Sequence, residues 1–478
     1  MQEELKQIVT RFAPSPTGFM HVGGVRTALY AYAWAKKNNE IFILRIEDTD
    51  KAREVDGSVA QIMESLRWLG ITWDEGPDIG GTHGPYIQSK RLESYKKYAQ
   101  ILIDKGLAYA DPYSEEDIAT FRKQAEEEKR AFLFRDHRPE NPAPWDGTKP
   151  LRFKVKEVKS YTWHDAVRGE LHAGPEALDD FILIKSDGYP TYNFAHIIDD
   201  LEMGVTHIMR ADEFIASTPK FLSLYEALEV TPPVLVTLPP ILGKEGTKKL
   251  GKRDGAKDIL DYKKEGYLPE AMVNFLALLG WNPGGTQEIF TMDEFVNAFS
   301  IDRIHSGGAM LNEEKLLWVN KEHLKKQTSE MIISGSKPYM QEFSDEMLEK
   351  MTPIITDRIS YYGELDTIKN SEFGFLIKRP DDTPIEKICW KDAGIDNARV
   401  HLEQVFTILE NTSFSSVEAI KEHIFAYAEQ HGKGNVLWPL RMTLSGQEKS
   451  IDPFTICYIL GKEETLARIK LMLSRMKT

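Results

Sequence analysis

The chain has 478 residues, of which 41% are hydrophobic and 28% charged, and its formal net charge is −14. The length predicts roughly two to four domains, and the composition is typical of a soluble globular protein. The acidic balance argues against indiscriminate coating of DNA, which requires a strongly basic surface, but it leaves open an RNA partner that contacts local basic patches.

Several kinds of segment are not expected. No run of about 18 apolar residues predicts a transmembrane helix, and the acidic start MQEELKQIVT is unlike a signal peptide. Cys389 and Cys457 are the only cysteines, which argues against a disulfide framework or a cysteine-rich zinc site. A cytoplasmic location is the expectation that follows.

The stretch RFAPSPTGFMHVGG, residues 11–24, predicts a strand end, a turn and a helix start. Pro14 and Pro16 stop the strand because proline has no N–H to donate, and apolar residues recur at helical spacing from Val25 onward. A glycine-rich turn into a helix can bind phosphate through free N–H groups. The alternative is a proline and glycine loop with one incidental histidine, His21.

Residues 41–50, IFILRIEDTD, predict a buried parallel strand that ends in carboxylates, and with the preceding strand and helix they indicate a right-handed βαβ unit. Ligands bind at the carboxyl ends of such strands. Helices are predicted over 57–70 and 89–106, and residues 107–188 read as an inserted module that opens with a capping box at Ser114 and Asp117.

Buried-strand character returns over 181–200, then around Arg210 in GVTHIMRADEF, and again over 234–242. The stretch 244–264 follows, with eight Lys or Arg and four Asp or Glu. A mobile basic loop suits transient closing on a triphosphate; a solvated loop or a nucleic-acid contact is the alternative. From about residue 330 the chain is predicted to be all-helical and reads as a recognition module.

Taken together, these segments resemble the class I aminoacyl-tRNA synthetases, and within that class the glutamyl-tRNA synthetases. RFAPSPTG followed by HVGG resembles the HIGH-type signature, and KKLGKR (248–253) resembles the KMSKS-type loop. RIEDTD, PYIQSKR, GYPTYNFAHIIDD, HIMRADEF, YLPEAMVNFLALLGW and LWPLRMTLSG also match family segments, in family order. The resemblance covers nearly the whole chain and is strongest over residues 8–325.

The resemblance implies an α/β N-terminal half, with a split Rossmann-type parallel sheet and an α+β insertion, and an all-α C-terminal half. The expected domains are the first half of the catalytic domain (1–106), an acceptor-end-binding insertion (107–188), the second half (189–242), the KMSKS-type loop with a stem-contact region (243–328), and a helical anticodon-binding region (329–478) for which two subdomains are expected.

The resemblance also implies site residues. His21, Lys249 and Lys252 are expected to be catalytic, offsetting charge on the phosphates of ATP, which arrives with Mg²⁺. Further ATP contacts are expected at Gly18, Gly23, Gly24, Glu213, Leu250 and Arg253. Glutamate contacts are expected at Arg11, Ala13, Ser15, Glu47, Tyr192, His196 and Arg210, because arginines pair with carboxylates and Glu47 can pair with the ammonium group.

The sequence departs from the family pattern in places. Gly251 stands where serine is usual in the KMSKS-type loop, and His196 stands where some relatives have Asn. Ala211 and Phe214 replace Gly and His of many members. The insertion lacks the cysteines that bind zinc in some members, so we expect no zinc and no other metal held by the protein.

Three alternatives stay open. One is a relative that glutamylates a modified tRNA nucleotide, which would lack the helical C-terminal part; another is a HIGH-motif nucleotidyltransferase for a small metabolite; the third is a non-catalytic tRNA-binding paralogue. Within the favoured hypothesis, the sequence leaves open whether tRNA-Gln is charged besides tRNA-Glu. Arg358 is either an anticodon contact or an exposed helix charge, and we expect a monomer that binds no DNA and no membrane.

Overall fold

A computed structural model gives the fold, and it describes residues 7–243, 246, 248–250 and 257–477. The chain forms two compact units. The first contains residues 1–264 and 269–319, and the second contains residues 265–268 and 320–478. Within the described residues, no helix combines the length and the apolar composition that a membrane span requires.

The first unit is built on a six-stranded sheet. Its strands, in spatial order, are β2 (Ile41–Leu44), β1 (Val9–Phe12), β8 (His207–Ala211), β9 (Val234–Leu238), β5 (Tyr161–Asp165) and β6 (Gly169–Ala173). Every neighbouring pair is parallel except β5 with β6, which form an antiparallel hairpin. The parallel sheet predicted from residues 7–50 is therefore confirmed, with Val9 opposite Ile41 and Phe12 opposite Leu44.

The hairpin of β5 and β6 lies within residues 107–188, which were expected to form a separate insertion. It instead extends the main sheet, because Asp165 of β5 pairs in register with Leu235 of β9. The other strands of that segment form a three-stranded sheet of their own. They are β3 (Ala108–Ala110), β4 (Leu151–Phe153) and β7 (Ile182–Ile184), in the order β3-β4-β7. Two short strands, β10 (Ile241–Leu242) and β11 (Ala309–Met310), pair in parallel.

The first unit also contains helices, some of which reach the boundary with the second. In chain order, the helices of the first unit are α1 (Val22–Lys37), α2 (Ser58–Trp68), α3 (Leu92–Asp104), α4 (Glu115–Glu127), α5 (Tyr192–Glu202), α6 (Thr218–Leu228), α7 (Ile259–Glu265), α8 (Pro269–Ala277), α9 (Met292–Ala298) and α10 (Glu313–Leu324). Of these, α1 packs against β1, β2 and β8. The predicted capping box of α4 is present, since the side chains of Ser114 and Asp117 bond each other's backbone N–H groups.

Helix α1 contacts both the sheet and two later helices of the first unit. Its alanines favour helix, and its buried face packs against β1 and β8 and against helices α8 and α9. The helix ends where Asn39 adopts a left-handed conformation with φ of 56°. It begins three residues earlier than the spacing of apolar residues predicted, because His21 caps it and Gly23 and Gly24 form its first turn.

The second unit is helical in its described residues. After α10, its helices are α11 (Ser329–Ser336), α12 (Asp345–Arg358), α13 (Leu365–Ser371), α14 (Gly374–Ile377), α15 (Ile385–Ile388), α16 (Gly394–Glu410), α17 (Val417–His431), α18 (Lys433–Ser445) and α19 (Pro453–Arg475). Helices α16 to α19 pack on one another around buried apolar residues such as Leu402, Ile424 and Leu440. The predicted fold class, α/β followed by all-α, is confirmed.

Candidate active site

A cleft of about 430 Å³ lies at the carboxyl ends of β1 and β8, where parallel sheets bind their ligands. One wall is the turn from β1 into α1, and another contains Pro239, Pro240 and Lys249 after β9. Of the predicted site residues, the cleft brings together Arg11, Ala13, Ser15, Gly18, His21, Gly23, Gly24, Glu47, Tyr192, Arg210, Glu213, Lys249 and Leu250.

His21 lies at the start of α1, on the wall of the cleft. Its Nδ1 accepts a hydrogen bond of 3.1 Å from the backbone N–H of Gly23, so in the neutral ring the proton is on Nε2. A Cβ on residue 23 would lie 3.0 Å from Cε1 of His21. A side chain at this position would therefore press on the imidazole, which lies over the helix start where backbone N–H groups attract anions.

Lys249 lies opposite, beyond β10, and is held by two carboxylates. Its Nζ is 3.0 Å from Oδ1 of Asp212 and also contacts Glu213. Burial alone would lower the pKa of Lys249, but the carboxylates of Glu213 and Asp212 raise it above its ordinary value. The lysine is therefore a permanent cation beside the cleft, and the phosphates of a nucleotide could compete for it with Glu213 and Asp212.

Charged side chains also line the inner end of the cleft. Arg11 of β1 forms a two-point ion pair with Asp200 of α5, at 3.0 and 3.2 Å. Arg45, which follows β2 and is fully buried, contacts the same Asp200 at 2.7 Å and Glu47 at 3.0 Å. These contacts hold Arg11 and Glu47 in place at the cleft, because each is bonded to a buried partner behind it.

Burial raises the pKa of Glu47 to about 7, although Arg45 and Arg11 oppose that change. Burial also favours the neutral form of Asp200, but Arg11 and Arg45 outweigh it and hold the pKa of this carboxyl well below its usual range. The two carboxyl groups share Arg45, but their pKa values move in opposite directions, because Asp200 is contacted by two guanidinium groups and Glu47 by one.

A second buried cluster supports the first. Asp199 accepts hydrogen bonds from Arg91 at 2.6 Å, from Gln88 at 2.8 Å and from the hydroxyl of Tyr95 at 3.0 Å. Sequence reasoning did not single out Asp199, Asp200 or Arg91. The available signal was the pair Asp199-Asp200 directly after the apolar Ile197-Ile198, since adjacent carboxylates in a buried helix require cationic partners.

Arg210 of β8 differs from Arg11 in its partners. It is only 6% exposed, its Nη2 donates to the hydroxyl of Thr218 at 3.0 Å, and its guanidinium lies 5.0 Å from the ring centre of Phe221. Among the residues that the structure describes, no carboxylate lies within ion-pair distance of it. Burial lowers the pKa of Arg210. A buried cation at the edge of a cleft, without an anionic partner, is suited to binding a carboxylate.

His196 is not brought into the cleft. Its ring stacks on Tyr192, at 4.6 Å between ring centres, and its Nδ1 is 2.6 Å from the carbonyl oxygen of Tyr192. Burial lowers the pKa of His196 to about 3, so the ring is neutral. It lines a small cavity behind Arg210, together with Tyr225, and it therefore supports Tyr192 from behind.

Four further positions singled out in the sequence are Gly251, Lys252, Arg253 and Arg358. Lys252, Arg253 and the unusual Gly251 lie outside the described residues. Arg358 ends α12 in the second unit, half-exposed, with its Nη1 3.6 Å from Glu372. Within the described ranges, no cluster of three or more His, Cys, Asp or Glu side chains is arranged to hold a metal ion.

A family profile for the catalytic domain of class I tRNA synthetases (E and Q) matches residues 7–318, and one for an anticodon-binding domain matches residues 327–473. The chain belongs to the class I tRNA synthetases. It is 40% identical to the glutamate–tRNA ligases of Carboxydothermus hydrogenoformans and Clostridium botulinum, over 96% and 98% of its length and 98% and 99% of theirs.

Solved structures agree with these sequence matches. A crystal structure of a glutamate–tRNA ligase from Elizabethkingia meningosepticum, in complex with its amino acid, superposes with a TM-score of 0.88 at 34% identity, covering 98% of this chain and all of that one. The glutamate-tRNA synthetase of Elizabethkingia anophelis gives a TM-score of 0.85 at 35% identity over the same share of this chain. Within its class, the chain is a member of the glutamate–tRNA ligase family.

Proposed function

We propose that the chain joins L-glutamate to tRNA in two steps within this cleft. The α-carboxylate of glutamate attacks the α-phosphorus of ATP, which releases pyrophosphate and forms glutamyl-adenylate. A hydroxyl of the 3′-terminal adenosine of tRNA then attacks the activated carbonyl and releases AMP. ATP enters as its Mg²⁺ complex, because the triphosphate requires a hard cation.

The observation that carries the proposal is the cleft's charge pattern around Arg210. This buried guanidinium has a hydroxyl partner but no carboxylate partner among the described residues. The γ-carboxylate of glutamate would supply that anionic partner. Glutamine offers no negative charge and would leave the cation unpaired, which costs far more than a misfit of shape. Glu47, held by Arg45, would take the substrate's ammonium group, and Arg11, Ala13, Ser15 and Tyr192 would enclose the rest.

The phosphates would bind at the other end of the cleft. His21 and the N–H groups at the start of α1 would stabilise the leaving pyrophosphate. Lys249 would leave its ion pairs with Asp212 and Glu213 and pair with the triphosphate. Glu213 would then be free to approach the ribose, while Gly18, Gly23, Gly24 and Leu250 would bound the nucleotide. Lys252 and Arg253 complete the proposed ATP contacts, and they lie outside the described residues.

The proposal extends to partners and location. The helical second unit would bind the anticodon arm, with Arg358 as a candidate contact, and the insertion over residues 107–188 would bind the acceptor end. We propose a cytoplasmic monomer that requires no zinc, and in which tRNA binding precedes glutamate activation.

The test is glutamate transfer with ATP, Mg²⁺ and two separate transcripts, tRNA-Glu and tRNA-Gln. Charging of tRNA-Glu alone would identify a discriminating enzyme, and charging of both would identify a non-discriminating one that supplies misacylated tRNA-Gln for amidation. Charging of neither by well-folded protein would contradict the proposal and favour a non-catalytic tRNA-binding paralogue. Metal analysis of the purified protein tests the zinc expectation, which stoichiometric zinc would overturn.

A further inference from the structure

Arg26 is a buried cation that lines the cleft, and the proposed reaction assigns it no contact with a substrate. It lies on α1, one turn after Gly23, and is only 2% exposed. Its Nη1 donates to the carbonyl oxygen of Leu279 at 3.0 Å, and its Nη2 donates to the carbonyl oxygen of Pro239. No ion pair of Arg26 is present among the described residues. Burying a guanidinium whose partners are two neutral carbonyls is costly.

The two carbonyls belong to different parts of the first unit. Pro239 directly follows β9, and it lines the cleft together with Ile241 and Lys249. Leu279 lies just beyond α8. The packing between these parts is tight, because Gly280 has φ of +97° and a Cβ there would lie 2.9 Å from the Pro239 ring. Arg26 therefore joins α1, which begins next to His21, to the wall that carries Lys249.

We infer that Arg26 is a positioning residue that sets the spacing between the His21 wall and the Lys249 wall of the cleft. This inference rests on the proposed adenylate formation. Stabilisation of developing phosphate charge depends on groups held in place before the reaction, and a displacement of about 1 Å can cost on the order of 10²-fold in rate. A planar guanidinium with two parallel donors can hold two carbonyls at a fixed separation, whereas an ammonium group on a flexible stem cannot.

Tyr30, one turn further along α1, provides a matched control. It is fully buried, and its hydroxyl lies 3.0 Å from the carbonyl oxygens of Ala277 and Leu279. It thus bonds to the same end of α8 as Arg26 does, but not to Pro239 or to the cleft wall. Tyr30→Phe removes a buried hydrogen bond between α1 and the end of α8 and leaves the bridge to the Lys249 wall intact.

The experiment compares Arg26→Met, Arg26→Lys and Tyr30→Phe with the unaltered full-length chain. ATP–pyrophosphate exchange with tRNA-Glu present gives kcat and the KM values for glutamate and ATP, and thermal melting gives stability. We expect both Arg26 variants to lose on the order of 10²-fold in kcat, with the KM for glutamate changed by less than about threefold. Tyr30→Phe should lower the melting temperature while its kcat stays within about threefold of the unaltered chain.

Other results would overturn the inference. If Arg26→Lys restores kcat, the positive charge matters and the bridge does not. If Arg26→Met and Tyr30→Phe lose kcat equally, Arg26 contributes only to general stability. Failure of both Arg26 variants to fold would lead to that same conclusion. If the KM for glutamate rises in step with the fall in kcat, Arg26 acts on glutamate binding and not on the spacing of the two walls. Absence of exchange in the unaltered chain would instead refute the proposed function itself.

Discussion

Arg11 and Arg210 line the same cleft, but their different partners suit them to different roles. Arg11 is neutralised by the two-point contact with Asp200, so its position is fixed before any ligand arrives. Arg210 is held by one hydroxyl and by contact with aromatic rings, and its charge is left for a ligand. We therefore propose that Arg210 is the residue that selects for a second carboxylate.

Arg210→Gln tests this assignment. The substitution removes the cation that would pair with the γ-carboxylate, and hydrogen bonds to charged groups contribute about 1.5–3 kcal/mol. We expect kcat/KM for glutamate to fall by about 10- to 100-fold or more, with the KM for ATP nearly unchanged. The control is Arg53→Gln, which breaks an exposed ion pair with Asp50. Equal activity of the two variants would show that Arg210 does not select the substrate.

The raised pKa of Glu47 predicts a pH dependence. Glu47 binds an ammonium group only when ionised, and its pKa is raised to about 7 by burial. We therefore expect kcat/KM for glutamate to fall about tenfold per pH unit below that value. Glu47→Gln should lower kcat/KM above pH 7 and remove this limb of the profile. Glu54→Gln, which alters an exposed partner of Lys51, should retain it, and a profile that is unchanged in Glu47→Gln would contradict the assignment.

The same carboxyl has a predictable effect on stability. Its pKa in the folded chain lies above its ordinary value of 4.5, so the folded state binds the proton more tightly than the unfolded state does. The contribution of Glu47 to the free energy of unfolding therefore falls as pH rises from about 4.5 to about 7. Asp200 behaves in the opposite way, because its pKa is lowered, and its contribution is lost only in acid.

At the scale of elements, local patterns predicted most of the strands and helices that position the cleft. The βαβ unit was predicted from the prolines after β1 and the apolar run of β2. The carboxylates that follow β2 predicted the edge of the sheet at which ligands bind. Local patterns failed at α5. The stretch 181–200 looked like buried strand, yet only Ile182–Ile184 is strand and a helix begins at Tyr192. That helix is buried on several sides, so its apolar residues show no clear period.

Contacts between distant residues were beyond local patterns for a different reason. Asp200 meets Arg11 and Arg45 across more than 150 residues of chain, and spacing along a sequence carries no information about such pairs. The same holds for the hairpin of β5 and β6, which joins the main sheet through one register pair at Asp165. The resemblance to a known family predicted site residues, most of which line the cleft where the structure describes them, but it did not predict the buried charges that hold them.

Asp165 joins this hairpin to the sheet. It is fully buried, and its carboxylate accepts hydrogen bonds from the N–H groups of Val167 and Arg168 and from both the N–H and the hydroxyl of Thr237. Asp165→Ala leaves those donors without a partner. We expect a loss of about 3 kcal/mol in the free energy of unfolding, measured by denaturant titration, together with faster proteolysis within the hairpin.

Asp146 provides the matched control for Asp165. It accepts from the N–H and the hydroxyl of Thr148 in the same manner, but it is exposed. Asp146→Ala should cost less than about 0.5 kcal/mol, because water replaces the lost acceptor. If the two substitutions have equal effects, burial of Asp165 is not what stabilises the junction.

At the scale of the whole molecule, the two units have different features. The first contains the cleft, and the second matches an anticodon-binding domain. Changes in the second unit should therefore affect tRNA without affecting the small substrates. Arg358 ends α12 half-exposed, and its contact with Glu372, at 3.6 Å, is a surface ion pair. Such pairs contribute only about 0–1 kcal/mol to stability, so the side chain can be changed without unfolding the chain.

Arg358→Gln tests whether this side chain contacts the tRNA. An arginine that bonds a base edge contributes about 1–3 kcal/mol, so we expect the KM for tRNA to rise by about 5- to 100-fold while the KM values for glutamate and ATP and the melting temperature stay unchanged. The control is Arg399→Gln, because Arg399 is also partly exposed and pairs with Asp396 one helical turn away. A rise of equal size in both variants would indicate general attraction to phosphates, and no rise in Arg358→Gln would mean that Arg358 is an ordinary surface charge.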